Sequence, residues 1–269
     1  MSWVSFAGAA IALMLAMATA WAIHRATHNA GWIDTIWTYA TGLAAGAAAI
    51  GFAVEDISAR QALVAALVLV WALRLGTDMT RRTLARPDDP RYAKMAAEWG
   101  AEADEKIFWL LQKQAWCGAL LILAVFVAAE RPEEELRASD ILGAIALVIS
   151  VVGAGLADRQ LRLFAADPIN RGGVCDVGLW RYSRHPNYFF EWLGWCAYPI
   201  IAIDWSGGYL WGWAALAAPA LMYWLLVHIS GIPPLEEQMI ASRGARYERY
   251  RNSTNAFFPG PIKKSTDTP

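Results

Sequence analysis

Residues 139–157 read Ser139-Asp140-Ile141-Leu142-Gly143-Ala144-Ile145-Ala146-Leu147-Val148-Ile149-Ser150-Val151-Val152-Gly153-Ala154-Gly155-Leu156-Ala157, and the chain then turns polar at Asp158-Arg159-Gln160-Leu161-Arg162. An apolar run of about 20 residues is the length of one helical crossing of a bilayer core. A backbone in lipid must satisfy its own hydrogen bonds, so such a run folds as a helix. Similar blocks occupy residues 3–23, 32–53, 61–77, 107–128, 188–203 and 208–230. The expectation is an all-α polytopic membrane protein with seven transmembrane helices.

Composition agrees. Of 269 residues, 57% are apolar, against about 45–50% in a soluble domain. The net charge of −1 offers no bulk attraction to nucleic acid, and no nucleic-acid partner is expected. Cys117, Cys175 and Cys196 are scattered, without a C-x-x-C or an even set for a disulfide framework. The four histidines are read as carrying no metal. The block at 3–23 resembles a signal peptide but lacks a basic leader, so it reads as a retained first span. Gly42, Ala45 and Gly46, and again Gly143, Gly153 and Gly155, are small residues that let helices approach closely in lipid. No repeat or soluble domain appears. The chain reads as one membrane domain over 1–269, with a flexible tail from about 261.

The loops sort by charge. Segments 24–31, 78–106, 158–187 and 231–269 hold 18 Lys and Arg, and the alternate set holds 3. By the positive-inside rule the first set is cytoplasmic. Seven spans then put the N-terminus outside and the C-terminus in the cytoplasm, in an integral membrane protein of a bacterial inner membrane. The external loops are short and poor in functional side chains.

The chemistry should therefore lie inside. The densest stretch is Gly178-Leu179-Trp180-Arg181-Tyr182-Ser183-Arg184-His185-Pro186-Asn187-Tyr188-Phe189-Phe190-Glu191. Arg181 and Arg184 offer the planar forks that grip phosphate or carboxylate. Pro186 suits a helix's first turn, whose free amides favour an anion. Asn187 and Glu191 stand four apart and share a helical face, and a carboxylate inside an apolar run needs a partner. The plainer reading is a basic anchor for lipid headgroups, which has no need of Asn187 and Glu191. Asp158 and Arg162, one turn apart, form either a surface ion pair or part of the same polar cap. Asp34, near the start of the second span, is an interfacial cap or a functional carboxylate, and Arg74 is an internal counter-charge. Tyr247 and Tyr250 share a face of a late amphipathic helix.

Taken together, the stretch 178–191, Asp158–Leu161 and the Arg246-Tyr247…Tyr250…Phe257-Phe258-Pro259 ending resemble the steroid 5-alpha-reductase superfamily, in particular its functionally uncharacterised bacterial branch. Ile33-Asp34-Thr35-Ile36-Trp37, Trp71-x-x-Arg74-Leu75 and Asp89-Pro90-Arg91-Tyr92 also look like that branch. The resemblance covers about residues 30–260. It implies a seven-span bundle holding NADPH at its cytoplasmic side and reducing a carbon–carbon double bond conjugated to a carbonyl in a lipid-like substrate. By position, Asp158, Asn187 and Glu191 match cofactor-contacting residues, as do Arg162, Arg181, Tyr182, Arg184, His185 and Tyr188 less closely. Where the steroid reductases carry a Gln-Glu pair and a Tyr to polarise the ketone, this chain has Asp34 and Trp71, and Ala154 replaces an asparagine.

Hydride addition to an enone places negative charge on the carbonyl oxygen, and a positioned donor must meet it. Asp34 in its protonated form and Tyr39 are the candidate catalytic donors. The Arg-His-Pro-Asn-Tyr core at 184–188 also occurs in isoprenylcysteine carboxyl methyltransferases, so an S-adenosylmethionine-dependent membrane methyltransferase is the alternative. A non-enzymatic lipid-binding protein is the third reading.

Overall fold

The structure is a computed structural model and describes residues 2–51, 57–85, 89–133 and 135–263. The expected end of the second span at 52–53 and the tail at 264–269 lie outside the described residues. The helices are α1 (Trp3–Thr27), α2 (Gly31–Ile50), α3 (Ala59–Ala85), α4 (Pro90–Trp99), α5 (Ala103–Ala129), α6 (Ala138–Ala166), α7 (Pro186–Ala202), α8 (Ala217–Trp224), α9 (Ile232–Arg243) and α10 (Ala245–Ser253). Among the described residues there is no strand.

Among the described residues, five stretches are long and apolar enough to cross a membrane: Trp3–Thr27, Ala59–Ala85, Arg91–Ala129, Ala138–Ala166 and Leu210–Arg243. They mark an integral membrane protein. Along α6, Ile141, Leu142, Ile145, Val148, Ile149 and Val152 are each half exposed or more, an apolar stripe that water would penalise and acyl chains would cover. The expected second and sixth spans are also helical, as α2 and α7. At 17 residues, α7 is shorter than the ~20 that a perpendicular crossing needs. The last expected span is not one regular helix. It runs through a 3₁₀ stretch, α8 and a π turn over Leu225–Ile229, and is cut at Gly231, where a Cβ would fall 2.4 Å from the Leu226 carbonyl oxygen.

The chain forms two compact units. One comprises Met1–Ala144 with Tyr198–Ala218, and the other Ile145–Ala197 with Pro219–Pro269. In the first, α2 lies against α3 through small residues. A Cβ on Gly42 would fall 2.2 Å from the Ala72 Cβ, and one on Gly76 would fall 2.5 Å from the Tyr39 ring. Thr35 and Thr83 join hydroxyls at 3.0 Å across the same pair of helices. The helix α3 runs past its expected end at 77 because Asp78 and Arg82, one turn apart, pair at 2.8 Å and keep the polar extension helical. The long stretch from Arg91 to Ala129 is a hairpin, not a rod. Gly100 takes φ +54°, and Tyr92 on α4 meets Gln114 on α5 at 3.0 Å. A continuous helix would hold residues 22 apart at roughly 33 Å.

The connections that carry Arg60, Arg131, Arg137 and Asp204 are richer than their sequence indicates. Arg60, Arg131, Asp140 and Asp204 are all buried. Asp140 accepts from Arg60 at 3.2 Å and from Arg131 at 2.9 Å. Arg131 also reaches Glu133 at 2.8 Å, and Arg137 bridges Glu133 and Asp204. The remaining guanidinium donors of Arg60 and Arg131 go to loop carbonyls and to Ile201. The three arginines and three acids compensate one another, the condition under which charge tolerates burial.

In the second unit, α6 and α7 pack through Gly153 against Phe190 and Gly194 against Ser150. The Ser150 hydroxyl donates to the Phe190 carbonyl at 2.6 Å. The chain's end returns to cover α7 and α8. Phe257 is buried among Phe189, Trp192 and Tyr223, with ring centroids 5.4–6.0 Å away.

Candidate functional site

The second unit gathers most of the expected polar residues. On α6, Asp158 is buried and accepts from the Asn187 side-chain amide at 3.1 Å. Asn187 sits in the first turn of α7, and Glu191, one turn on, is also buried. The loop before α7 is held in shape by α6. The Gln160 side chain accepts from the Leu179 backbone at 2.9 Å, and the Trp180 indole donates to the Ala157 carbonyl at 2.9 Å. Gly178 (φ +58°) presses on Gln160 where a Cβ would clash at 2.5 Å, so no other residue fits this turn easily.

Beside this lies a buried cluster of Arg184, His185 and Glu236. One oxygen of Glu236 accepts from Arg184 Nε at 2.7 Å and meets His185 Nε2 at 3.1 Å. The other end of Arg184 donates to the carbonyls of Arg251 and Thr254 at 2.9 and 2.6 Å. Arg184 thus staples the C-terminal end of α10 to the start of α7. Tyr250 adds a second staple through its hydroxyl, which donates to the Trp180 carbonyl at 2.5 Å. The His185 ring stacks on Tyr188, with centroids 5.5 Å apart. Burial lowers the His185 pKa and the Arg184 charge lowers it further, while Glu236 works in the opposite direction. A neutral ring donating from Nε2 leaves Nδ1 as an acceptor. That atom is buried, with no partner among the described residues, so the site has an unmet demand for a donor.

Arg162, Arg181 and Tyr182 are exposed. Glu236 is the residue that the sequence places least well. Its signal, the Glu236-Glu237 pair preceding Tyr247, is visible, but its bond to His185 spans 51 positions.

Residues 20–254 match the family described as "Protein of unknown function (DUF1295)". The chain belongs to the DUF1295 family. No curated protein and no solved structure matches it. The family match spans both the polar cluster of the second unit and the remaining candidates in the first.

In this DUF1295 chain the first unit places Asp34 on the Arg91 guanidinium at 2.5 Å, and Arg91 also holds Asp89 at 2.8 Å. The pairing cation on Asp34 is therefore Arg91, in the first turn of α4. Tyr39 packs its ring on Gly76, and its hydroxyl has no protein partner among the described residues. His24 and His28 have the four-residue spacing of a metal pair, but α1 ends at Thr27 and His28 turns left-handed as its cap (φ 52°). Among the described residues no three His, Cys, Asp or Glu side chains gather as a metal site.

Proposed function

We propose that the protein is an NADPH-dependent membrane oxidoreductase that reduces a double bond conjugated to a carbonyl in a lipid-like substrate, within a seven-span bundle of cytoplasmic C-terminus. One observation carries the reading. Asp158 and Asn187 are bonded to each other next to the buried Glu191, on the two helices where the resemblance to the steroid 5-alpha-reductase superfamily puts its cofactor contacts. Buried carboxylates of this kind suit ribose hydroxyls, which donate to them. The unpartnered His185 Nδ1 suits a further hydroxyl or amide donor, and the exposed Arg181 and Arg162 suit the phosphates. The residues present thus fit a dinucleotide. When bound, the nicotinamide supplies the hydride, and the protein supplies orientation and electrostatics. Asp158, Asn187 and Glu191 bind and orient the sugar. Asp34 and Tyr39 remain the proposed donors for the substrate carbonyl.

The test is ligand-dependent melting of the purified protein in detergent. NADPH at one hundred times its Kd should stabilise it by about 2.7 kcal/mol, and Asp158→Asn should abolish most of that shift. No shift with NADPH in the wild-type protein removes the reading.

The methyltransferase alternative has one observation in its favour. The Arg184-His185 pair of the shared Arg-His-Pro-Asn-Tyr core bonds Glu236 on α9, which joins that core to the C-terminal helices. Stabilisation by S-adenosylmethionine but not by NADPH would decide for it.

A further inference from the structure

In the first unit, α5 carries a charge at a depth where lipid penalises it. From Ala115 to Ala129 the helix has no charged residue, and Glu130 and Arg131 follow. A hydrocarbon core of roughly 30 Å takes about 20 helical residues, so a span ending at Ala129 begins at about residue 110. A second marker agrees. Trp21 lies against Phe108, and Phe108 against Trp109, with ring centroids 5.5 and 5.4 Å apart. The Trp21 indole also donates to the Asp104 carbonyl at 2.9 Å. Tryptophans clustered in this way mark the headgroup level. Lys113, one turn beyond Trp109, therefore has its backbone just inside the apolar layer, and its stem leans back toward the helix N-terminus and the headgroups.

The protein gives this lysine no counter-charge. Other cations at this end of α5 are paired, Lys106 with Glu102 at 2.7 Å and Arg25 with Asp104 at 3.1 Å. Lys113 is exposed and has no ion pair or hydrogen bond among the described residues. Trp109 and Trp116, 57% and 64% exposed, stand on the same stripe of the helix, one turn to either side. Neither indole N–H donates to a described residue. Leu120 continues the stripe and is exposed as well. Glu105 heads the stripe, but it lies two turns from Lys113, roughly 12 Å along the axis. Between Trp109 and Leu120 this face presents donors, one of them charged, and no side-chain acceptor.

We propose that the Trp109–Lys113–Trp116 stripe is a binding site for an anionic glycerophospholipid. Its phosphodiester meets the Lys113 ammonium beside Trp109, an ester carbonyl accepts from the deeper Trp116 indole, and an acyl chain runs along Leu120. Phosphodiester and ester oxygens are acceptors, which answers a face made of donors. The negative phosphate supplies the charge that no carboxylate supplies. A choline headgroup brings a cation of its own, which Lys113 repels, so the site selects lipids whose net charge is negative. A lysine that merely snorkels to water makes no such choice. None of these residues belongs to the proposed reductase site, and the two readings stand or fall separately.

Native mass spectrometry of the delipidated full chain, titrated with dioleoyl phosphatidylglycerol or dioleoyl phosphatidylcholine, provides the measurement. The first phosphatidylglycerol should bind about fivefold more tightly than the first phosphatidylcholine, the effect of one basic residue at an anionic surface. Lys113→Gln should remove that preference and Lys113→Arg should keep it. Trp116→Leu should weaken phosphatidylglycerol binding with the charge intact. Lys106→Gln is the control, because Glu102 already compensates that cation, and it should leave the preference unchanged. All three positions are exposed, so the variants keep the helix. The proposal is overturned if the two lipids bind alike in the wild-type protein, if Lys113→Gln keeps the preference or Lys113→Arg loses it, or if Trp116→Leu binds phosphatidylglycerol as the wild type does. Equal loss in Lys106→Gln would reduce the effect to general surface charge and overturn it too. Displacement of the lipid by inorganic phosphate would make this a site for free anions, with the same consequence.

Discussion

Arg184 and His185 are neighbours in a motif that looks made for ligand, yet the two residues do different work. Arg184 spends its fork on Glu236 and on two carbonyls at the end of α10. A lysine carries the charge without the planar array of donors. Arg184→Lys should therefore destabilise nearly as much as Arg184→Ala, by about 3 kcal/mol, the usual cost of breaking a buried pair, read as a lower melting temperature in detergent. His185 holds its proton less tightly folded than unfolded, because burial disfavours the charged ring. Below its ordinary value of 6.5 the unfolded chain binds the extra proton and the folded chain resists it. Its contribution is present above about that pH and is lost as pH falls through the lower folded value. Melting temperature should decline from pH 6.5 toward 5 in the wild-type protein and decline less in His185→Gln. Equal slopes would show that another group sets the acid limit.

At the scale of helices, the glycines singled out in α2 prove to be contact points. Gly42 lies against Ala72 with no room for a methyl group. Gly42→Leu should force α2 and α3 apart and cost about 1–3 kcal/mol, visible as reduced folded yield, whereas Gly155→Ala, where nothing stands within 4 Å, should be silent. The α4–α5 hairpin is the element least legible in the sequence. Residues 90–99 are polar enough to pass for a loop, and only the left-handed Gly100 and the bond from Gln114 to Tyr92 return them to the bundle. Similarly, the continuous hydropathy of 208–230 hides its 3₁₀ and π distortions. Apolar length reports where a span lies and carries no information on backbone winding.

For the whole molecule, the buried network around Asp140 ties α3, α6 and the connection between α5 and α6 together. Asp140→Ala leaves Arg60 without its carboxylate and Arg131 with Glu133 alone, and should cost about 3–5 kcal/mol, with urea or thermal unfolding as the readout. Replacing a single partner of this set should hurt more than removing the exposed pair Arg25–Asp104, whose side chains are more than half exposed. Topology is testable in the same molecule. Single cysteines at Ser206 and Ser242, in a protein with Cys117, Cys175 and Cys196 replaced, should react with a membrane-impermeant maleimide from opposite sides. Labelling of both from one side would break the seven-span alternation.

Chain order alone determined the membrane class and the approximate limits of most spans, because lipid imposes a length and an apolarity that can be read locally. It also put Asn187 and Glu191, four apart, on one helical face, whereas the bond from Asn187 to Asp158 spans 29 positions and belongs to the fold. Tertiary structure decided the pairings: Asp34 with Arg91 across 57 positions, Arg184 with Glu236 across 52, and Tyr92 with Gln114 across 22. A charged or polar side chain in an apolar interior must find its partner wherever the fold brings one, and no periodicity in the sequence encodes that distance.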